Sequence, residues 1–258
     1  MKKIIALALA CLMICSMFAG CGSKSSEGLK TVEPGKLIMS TNAAFPPYEM
    51  TTDDGGFEGI DVEIAGAIAE TLGLELVVDD MDFDAAQLAV QQGKSDLCMA
   101  GLSVTESRKL VMDFSRTYAT GVQVVIVKEG SDVTMDNLGE KMIGTQRGTT
   151  GYIYASDSPE NGGYGEDHVI AYDNGITAVQ ALMNGQVDCV IIDNAPAQEF
   201  VASNAGLTLL EGEWLVEEYA IGLNKDNAEL NKAIDDALAA LIDDGTVQSI
   251  IDKYISAN

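Results

Sequence analysis

The sequence predicts an α/β protein of two units, each a mostly parallel sheet flanked by helices, and three observations carry that prediction. The first is an internal repeat: Gly93-Lys94-Ser95-Asp96 recurs in plan as Gly185-Gln186-Val187-Asp188, offset by 92 residues at both ends. Each copy follows a helix-like segment, Asp84 to Gln92 and Ile176 to Asn184, and precedes a short apolar run. The glycine reads as the left-handed residue that stops the helix, and the run after it as a buried parallel strand. The second observation is the segment 60–72, where Ile60, Ile64, Ile68 and Leu72 recur every four residues ahead of Gly73 and the strand-like 74–78. The third is composition: 258 residues, 47% hydrophobic and 21% charged, hold enough apolar surface for a folded core.

Taken from the N-terminus, Met1-Lys2-Lys3, the apolar run Ile4 to Phe18 and Ala19-Gly20-Cys21 have the order of an export signal. The run is shorter than the ~20 residues that span a bilayer. A cysteine directly after small residues resembles a lipobox, so cleavage before Cys21 and lipid modification of that residue are expected. Residues 21–29 then form a flexible polar tether. The strand-like segments 36–41 and 141–146 each run into a polar loop and open the two units.

Formal net charge is −25, from 15 Lys+Arg against 40 Asp+Glu. Nucleic acid and anionic membrane surfaces are thereby poor partners, and a soluble monomer is expected. The single histidine, His168, gives hydrolytic triads and histidine metal sites a weak footing. With Cys11, Cys15 and Cys21 in the leader and anchor, Cys98 and Cys189 remain, each in an apolar run and outside any CxxC. The acidic stretch Asp79 to Asp84 lacks the spaced ligands and glycine of a calcium loop, and no phosphate-binding Walker loop occurs. The segment Ser156 to Asp167 reads as a surface loop with a structural His168 at its end. No cofactor or metal is expected.

Parallel sheets bind ligands outside the carboxyl ends of their strands. Five residues past the repeat aspartates lie Gly101 and Asp193, and the first strands lead into Asn42 to Phe45 and Arg147 to Thr150. If the units face one another, these ends line one cleft suited to a small zwitterion. Ser103 and Glu106 have capping-box spacing, and Arg108 follows just inside that helix, where it could clamp a carboxylate.

In chain order, Thr41-Asn42-Ala43-Ala44-Phe45-Pro46-Pro47-Tyr48-Glu49, Gly59-Ile60-Asp61, Gly93 to Asp96, Gly101 to Arg108, Asp113-Phe114-Ser115, Gly148-Thr149-Thr150, Asp188 to Asp193 and the tail around Asp244-Gly245-Thr246 and Lys253-Tyr254 resemble the amino-acid-binding proteins of ABC importers, solute-binding family 3. The resemblance implies a two-lobed Venus-flytrap of the type 2 periplasmic-binding-protein fold with two hinge strands, and ABC permease and ATPase subunits as partners. It puts an L-amino acid's α-carboxylate on Arg108 and on backbone N–H groups at Ser103 and Thr149 to Thr150. The α-ammonium falls on Asp193, the Gly101 carbonyl and the Ser103 hydroxyl. Phe45 and Phe83 would sandwich the side chain, with Asn42 and Gln146 at its tip. Asn42 stands where related receptors often carry aspartate, which favours a polar ligand and tells against a basic one.

Lobe one is expected over 30–118 and 222–258, lobe two over 122–217, with hinges near 118–122 and 217–222. Two alternatives share this fold: a secreted enzyme resembling cyclohexadienyl dehydratases, which would need a general acid in the cleft, and an extracytoplasmic amino-acid sensor. No acid beyond Asp193 is expected at a matched position, and no membrane or signalling segment is expected after Asn258.

Overall fold

The computed structural model describes residues 28–255; the leader, Cys21 and most of the tether lie outside them. In the first half, β1 (Lys36–Thr41) leads through the short strands β2 (Ala44–Phe45), β3 (Glu49–Thr51) and β4 (Phe57–Glu58) to α1 (Ile60–Leu72). Next come β5 (Glu75–Asp80), α2 (Phe83–Gln91), β6 (Leu97–Cys98) and the single turn α3 (Glu106–Lys109). The long strand β7 (Asp113–Lys128) crosses to the second half. There β8 (Ile143–Gln146), α4 (Thr150–Ser156), β9 (Val169–Tyr172), α5 (Gly175–Met183), β10 (Cys189–Asp193), α6 (Asn194–Ser203) and β11 (Leu207–Leu209) follow. Strand β12 (Leu215–Leu223) returns to the first half, where α7 (Ala228–Asp243) and α8 (Thr246–Tyr254) close the fold.

The main sheet runs β5-β1-β6-β12-β7-β10-β8-β9, with β11 added on β7. Strand β1 pairs in parallel with β5 and β6, and β8 does so with β9 and β10. Between these parallel blocks lie only β7 and β12, which pair antiparallel. The architecture is therefore two α/β lobes joined through two long strands, as expected. Strands β2, β3 and β4 form a small separate sheet.

The repeat is visible as geometry. Gly93 and Gly185 sit at φ 66° and 72°. In each copy the glycine N–H bonds three residues back and the next N–H five back: Gly93 to Val90 and Lys94 to Ala89, then Gly185 to Leu182 and Gln186 to Ala181. This is the paired Schellman closure that a left-handed residue permits. The repeat aspartates brace the opening strands: Asp96 accepts from the N–H of Ile38 and of Val32, and Asp188 from that of Met142, all at 2.8 Å. In α1, Ile60, Ile64 and Ile68 are fully buried and share one core cluster with Leu230, Ile234 and Leu238 of α7.

Some expectations are corrected. Helix α3 is capped by Thr105, whose hydroxyl accepts from the Arg108 N–H at 3.2 Å, and not by Ser103. Ser103 is held instead by a bridge to Tyr219. Both Ser103 and Thr105 can cap; the bridge decides between them. Strand β5 continues to Asp80 because Asp79 and Asp80 stay in register with Ser40 and Thr41 of β1, and as an edge strand its last two residues can face water. Cys98 and Cys189 are buried, and burial pushes each thiol up to about 12, so both remain protonated packing groups.

Candidate functional site

All ten residues expected in the site line one cavity between the lobes: Asn42, Phe45, Phe83, Gly101, Ser103, Arg108, Gln146, Thr149, Thr150 and Asp193. Its volume is about 330 Å³ with the open mouth included. The residues arrive from strand ends and the loops after them: Asn42 after β1, Phe83 at the start of α2, Gly101 after β6, Gln146 at the end of β8 and Asp193 at the end of β10. A larger hollow of about 720 Å³ lies around Lys30–Val32, Gln91–Gly93 and Asn224–Asn227. Its buried carboxylate, Asp96, is already satisfied by two backbone amides, so size alone does not mark a binding site.

Gly101 has no substitute at its position. Its φ is +55°, and a Cβ there would lie 2.8 Å from the Phe45 ring. Phe45 stacks on Tyr48 with centroids 5.9 Å apart, and Tyr48 meets Tyr219 edge-on at 5.3 Å. Tyr219 in turn requires Gly121, where a Cβ would fall 2.5 Å from the ring. Phe45 and Gly101 thus line the cavity, with Tyr48, Tyr219 and Gly121 packed behind them.

Arg108 is the cation. It is 6% exposed and lies 5.5 Å above the Phe83 ring. It donates to the Ser103 carbonyl at 2.7 Å and, across the cleft, to the Gly148 carbonyl at 3.0 Å. Burial lowers its pKa, yet a guanidinium keeps its charge at any physiological pH. Two further contacts cross the cleft. Gln146 Nε2 donates to Asn42 Oδ1 at 3.0 Å. Gly148, at φ +73°, presses against the Asp84 carboxylate so closely that any Cβ would overlap it.

Opposite lies the acidic side. Asp193 is 7% exposed; Gln123 donates to its Oδ2 at 2.7 Å, while Oδ1 is buried without a well-aligned donor, the Tyr219 hydroxyl lying beside the carboxyl. Burial pushes its pKa from the ordinary 3.8 to about 7, Glu217 adding to the shift and the Tyr219 hydroxyl and Gln123 amide opposing it. Glu217 accepts from Gln123 at 3.1 Å and from the Thr150 hydroxyl at 2.8 Å. Behind Gly101, the Asp61 carboxylate accepts from the Gly101 N–H at 2.9 Å and from Tyr118 at 2.7 Å, and burial raises it to about 6. Thr149 caps α4 and donates to the Gln146 carbonyl at 2.8 Å.

Three lining residues were not singled out from sequence: Glu49, Ala100 and Gln123. Gln123 carried a readable signal, as the one polar side chain in the apolar run Gly121 to Val127. Glu49 sits in a strand of three residues, too short for alternation to show which face it takes. Its neighbour in space, Asp61, and the carboxyl of Glu217 also belong to the network and also depend on tertiary packing.

Residues 37–257 match the profile of the bacterial extracellular solute-binding proteins, family 3. The chain is similar to the L-cystine-binding protein TcyJ of Escherichia coli (strain K12), 30% identical over 259 residues that span 97% of this chain and 96% of TcyJ. It is similar to the arginine-binding extracellular protein ArtP of Bacillus subtilis (strain 168), 30% identical over 262 residues and 99% of both chains. Among solved structures, the arginine-, lysine-, histidine-binding protein ArtJ of Geobacillus stearothermophilus superposes with a TM-score of 0.79 at 32% identity, covering 86% of this chain and 96% of that one.

Proposed function

The chain belongs to the bacterial extracellular solute-binding proteins of family 3, and from that premise we propose that it is the receptor of an ABC importer that captures a free L-amino acid between its lobes and delivers it to a permease and its ATPase. The observation that carries this reading is a buried guanidinium, Arg108, and a buried carboxyl, Asp193, lining one cavity, the first ahead of β7 and the second at the end of β10. Arg108 and the amide groups at Ser103, Thr149 and Thr150 suit an α-carboxylate; Asp193, the Gly101 carbonyl and the Ser103 hydroxyl suit an α-ammonium. A desolvated zwitterion needs an opposite charge at each end.

A ligand that bridges Arg108 and Asp193 stabilises the closed arrangement over an open one, which is the differential affinity a closure mechanism requires. Hinges near 118–122 and 217–222 are favoured by the pairing of β7 with β12, whose register shifts between Tyr219 and Gly222. Lobe one then takes 30–118 with 222–258, and lobe two 122–217. Anchoring through a lipid on Cys21 is part of the same reading. Mass spectrometry of the native N-terminus should show a lipidated cysteine; an unmodified one would remove the anchor.

A thermal-shift screen of the purified, refolded protein against the twenty L-amino acids, cystine and ornithine tests the function. A ligand at a hundredfold excess over its dissociation constant adds ~2.7 kcal/mol to stability. A shift with one or a few of them is expected. The dehydratase alternative keeps two footholds, since Asp193, with a pKa near 7, is joined at the cavity by the protonated Glu49 carboxyl, an acid not expected there from sequence, and either suits a general acid. Turnover of arogenate or prephenate without any amino-acid shift would move the protein to that class.

A further inference from the structure

An α-carboxylate and an α-ammonium leave one ionisable group of the cavity unmatched. Glu49 enters from β3 opposite Phe45, its cross-strand neighbour, and lines the cavity while only 1% exposed. Neither of its carboxyl oxygens receives a hydrogen bond from a backbone, amide, hydroxyl or charged donor; its polar neighbour is the Asp61 carboxyl, with which it shares a proton. Asp193 Oδ1 and Gln123 Oε1, which line the same cavity, are buried and unpartnered too. All four of these lining atoms are acceptors; the one unpartnered donor nearby, the Tyr219 hydroxyl, lies behind the lining beside Asp193.

An ammonium offers three N–H groups, and Asp193, Gly101 and Ser103 take them up. Glu49 is then left with only the proton it shares with Asp61, and ionising it there without a further donor would carry its full desolvation penalty. Resting on the receptor reading above, we propose that the captured amino acid has a cationic side chain whose N–H groups pair with Glu49, the class of arginine, lysine and ornithine.

Charge balance favours the same class. The cavity lining holds one cation, Arg108, and two carboxyl groups, Asp193 and Glu49. A cationic amino acid supplies the complement, one carboxylate and two cations. Burial, and then the neighbouring Asp61 carboxyl, hold Glu49 well above the usual carboxylate range, so without such a ligand it keeps a proton. A side-chain cation takes the place of that proton. Asn42, which from sequence tells against a basic ligand, remains compatible: its Oδ1, which accepts from Gln146 Nε2, and the Oε1 of Gln146 are further acceptors on residues lining the same cavity. The acid missing at position 42 is supplied from position 49.

L-arginine and L-citrulline separate the possibilities because they match in length and differ in side-chain charge. Isothermal calorimetry on the purified protein should show L-arginine bound at least about tenfold more tightly than L-citrulline. Glu49→Gln, which keeps the shape and removes the charge, should bring the arginine-to-citrulline ratio to about one. The comparison on the unaltered protein stands even if that variant folds poorly. Citrulline or L-glutamine binding as tightly as arginine, lysine and ornithine would overturn the cationic class while leaving the receptor reading intact. So would a ratio untouched by Glu49→Gln. Binding of no amino acid at all would overturn the receptor reading and this inference with it.

Discussion

In the first lobe Asp96 holds the N–H of Ile38, and in the second Asp188 holds that of Met142, each at 2.8 Å. Five residues further on, the first lobe has Gly101 and the second Asp193. The two lobes thus repeat a scaffold device and diverge at the cavity. At the scaffold position Asp96 has a donor on each oxygen; at the cavity Asp193 has one oxygen with no well-formed hydrogen bond, only the Tyr219 hydroxyl standing beside the carboxyl. A satisfied carboxylate holds backbone together, whereas an unsatisfied buried one waits for a donor. Gly101 contributes no side chain and lines the cavity with backbone alone. A duplicated frame with unlike contents is what a ligand of unlike ends requires.

The contrast can be broken by mutation. Arg108→Ala or Asp193→Ala removes one of the two proposed charge partners, and should weaken ligand binding by more than about a hundredfold with the fold retained. Calorimetry beside circular dichroism checks this, and unchanged affinity in either variant would remove the site assignment. Asp96→Ala should do the reverse: a loss of about 2 to 3 kcal/mol in urea unfolding, with affinity kept within about threefold. A loss of binding as large as that of Asp193→Ala would erase the distinction between frame and site.

Acidity sharpens the comparison further. Asp193 faces Glu217 and Tyr219 on β12, Gln123 on β7, Glu49 on β3 and Tyr48, and its pKa stands at about 7. Because that value is raised, its contribution to folding is full below about pH 4 and is lost as pH rises through 7. Asp193→Asn should therefore stabilise the protein without ligand at pH 7.5, by on the order of 3 kcal/mol, and gain nothing at pH 4. Wild-type affinity should fall about tenfold per unit below pH 7, since an ammonium must displace the proton. A variant that is no more stable at pH 7.5 than at pH 4, relative to wild type, would contradict the assignment.

Much of the frame was legible because it is local. Segment 36–41 is β1 and 60–72 is α1, for the four-residue apolar spacing and the glycine stop are properties of adjacent residues. The ten site residues came from strand ends and from family resemblance, and they meet in one cavity. What sequence did not disclose depends on partners far along the chain. Ser103 could not be denied the cap without its bridge to Tyr219, 116 residues away. Glu49 could not be placed at the cavity without the pairing of β2 with β3. The full extent of β7 and β12 was equally hidden, since their pairing spans both lobes.

The central claim is that one buried cation and one buried anion grip the two ends of an amino acid. Calorimetry of the best ligand from the screen, beside its α-carboxamide and its 2-hydroxy analogue, tests it most directly. The first analogue lacks the negative charge and the second the positive one. Both should bind at least about a hundredfold more weakly than the parent. Either analogue binding within about threefold of the parent would show that its end of the molecule is not held by charge, and would contradict the account.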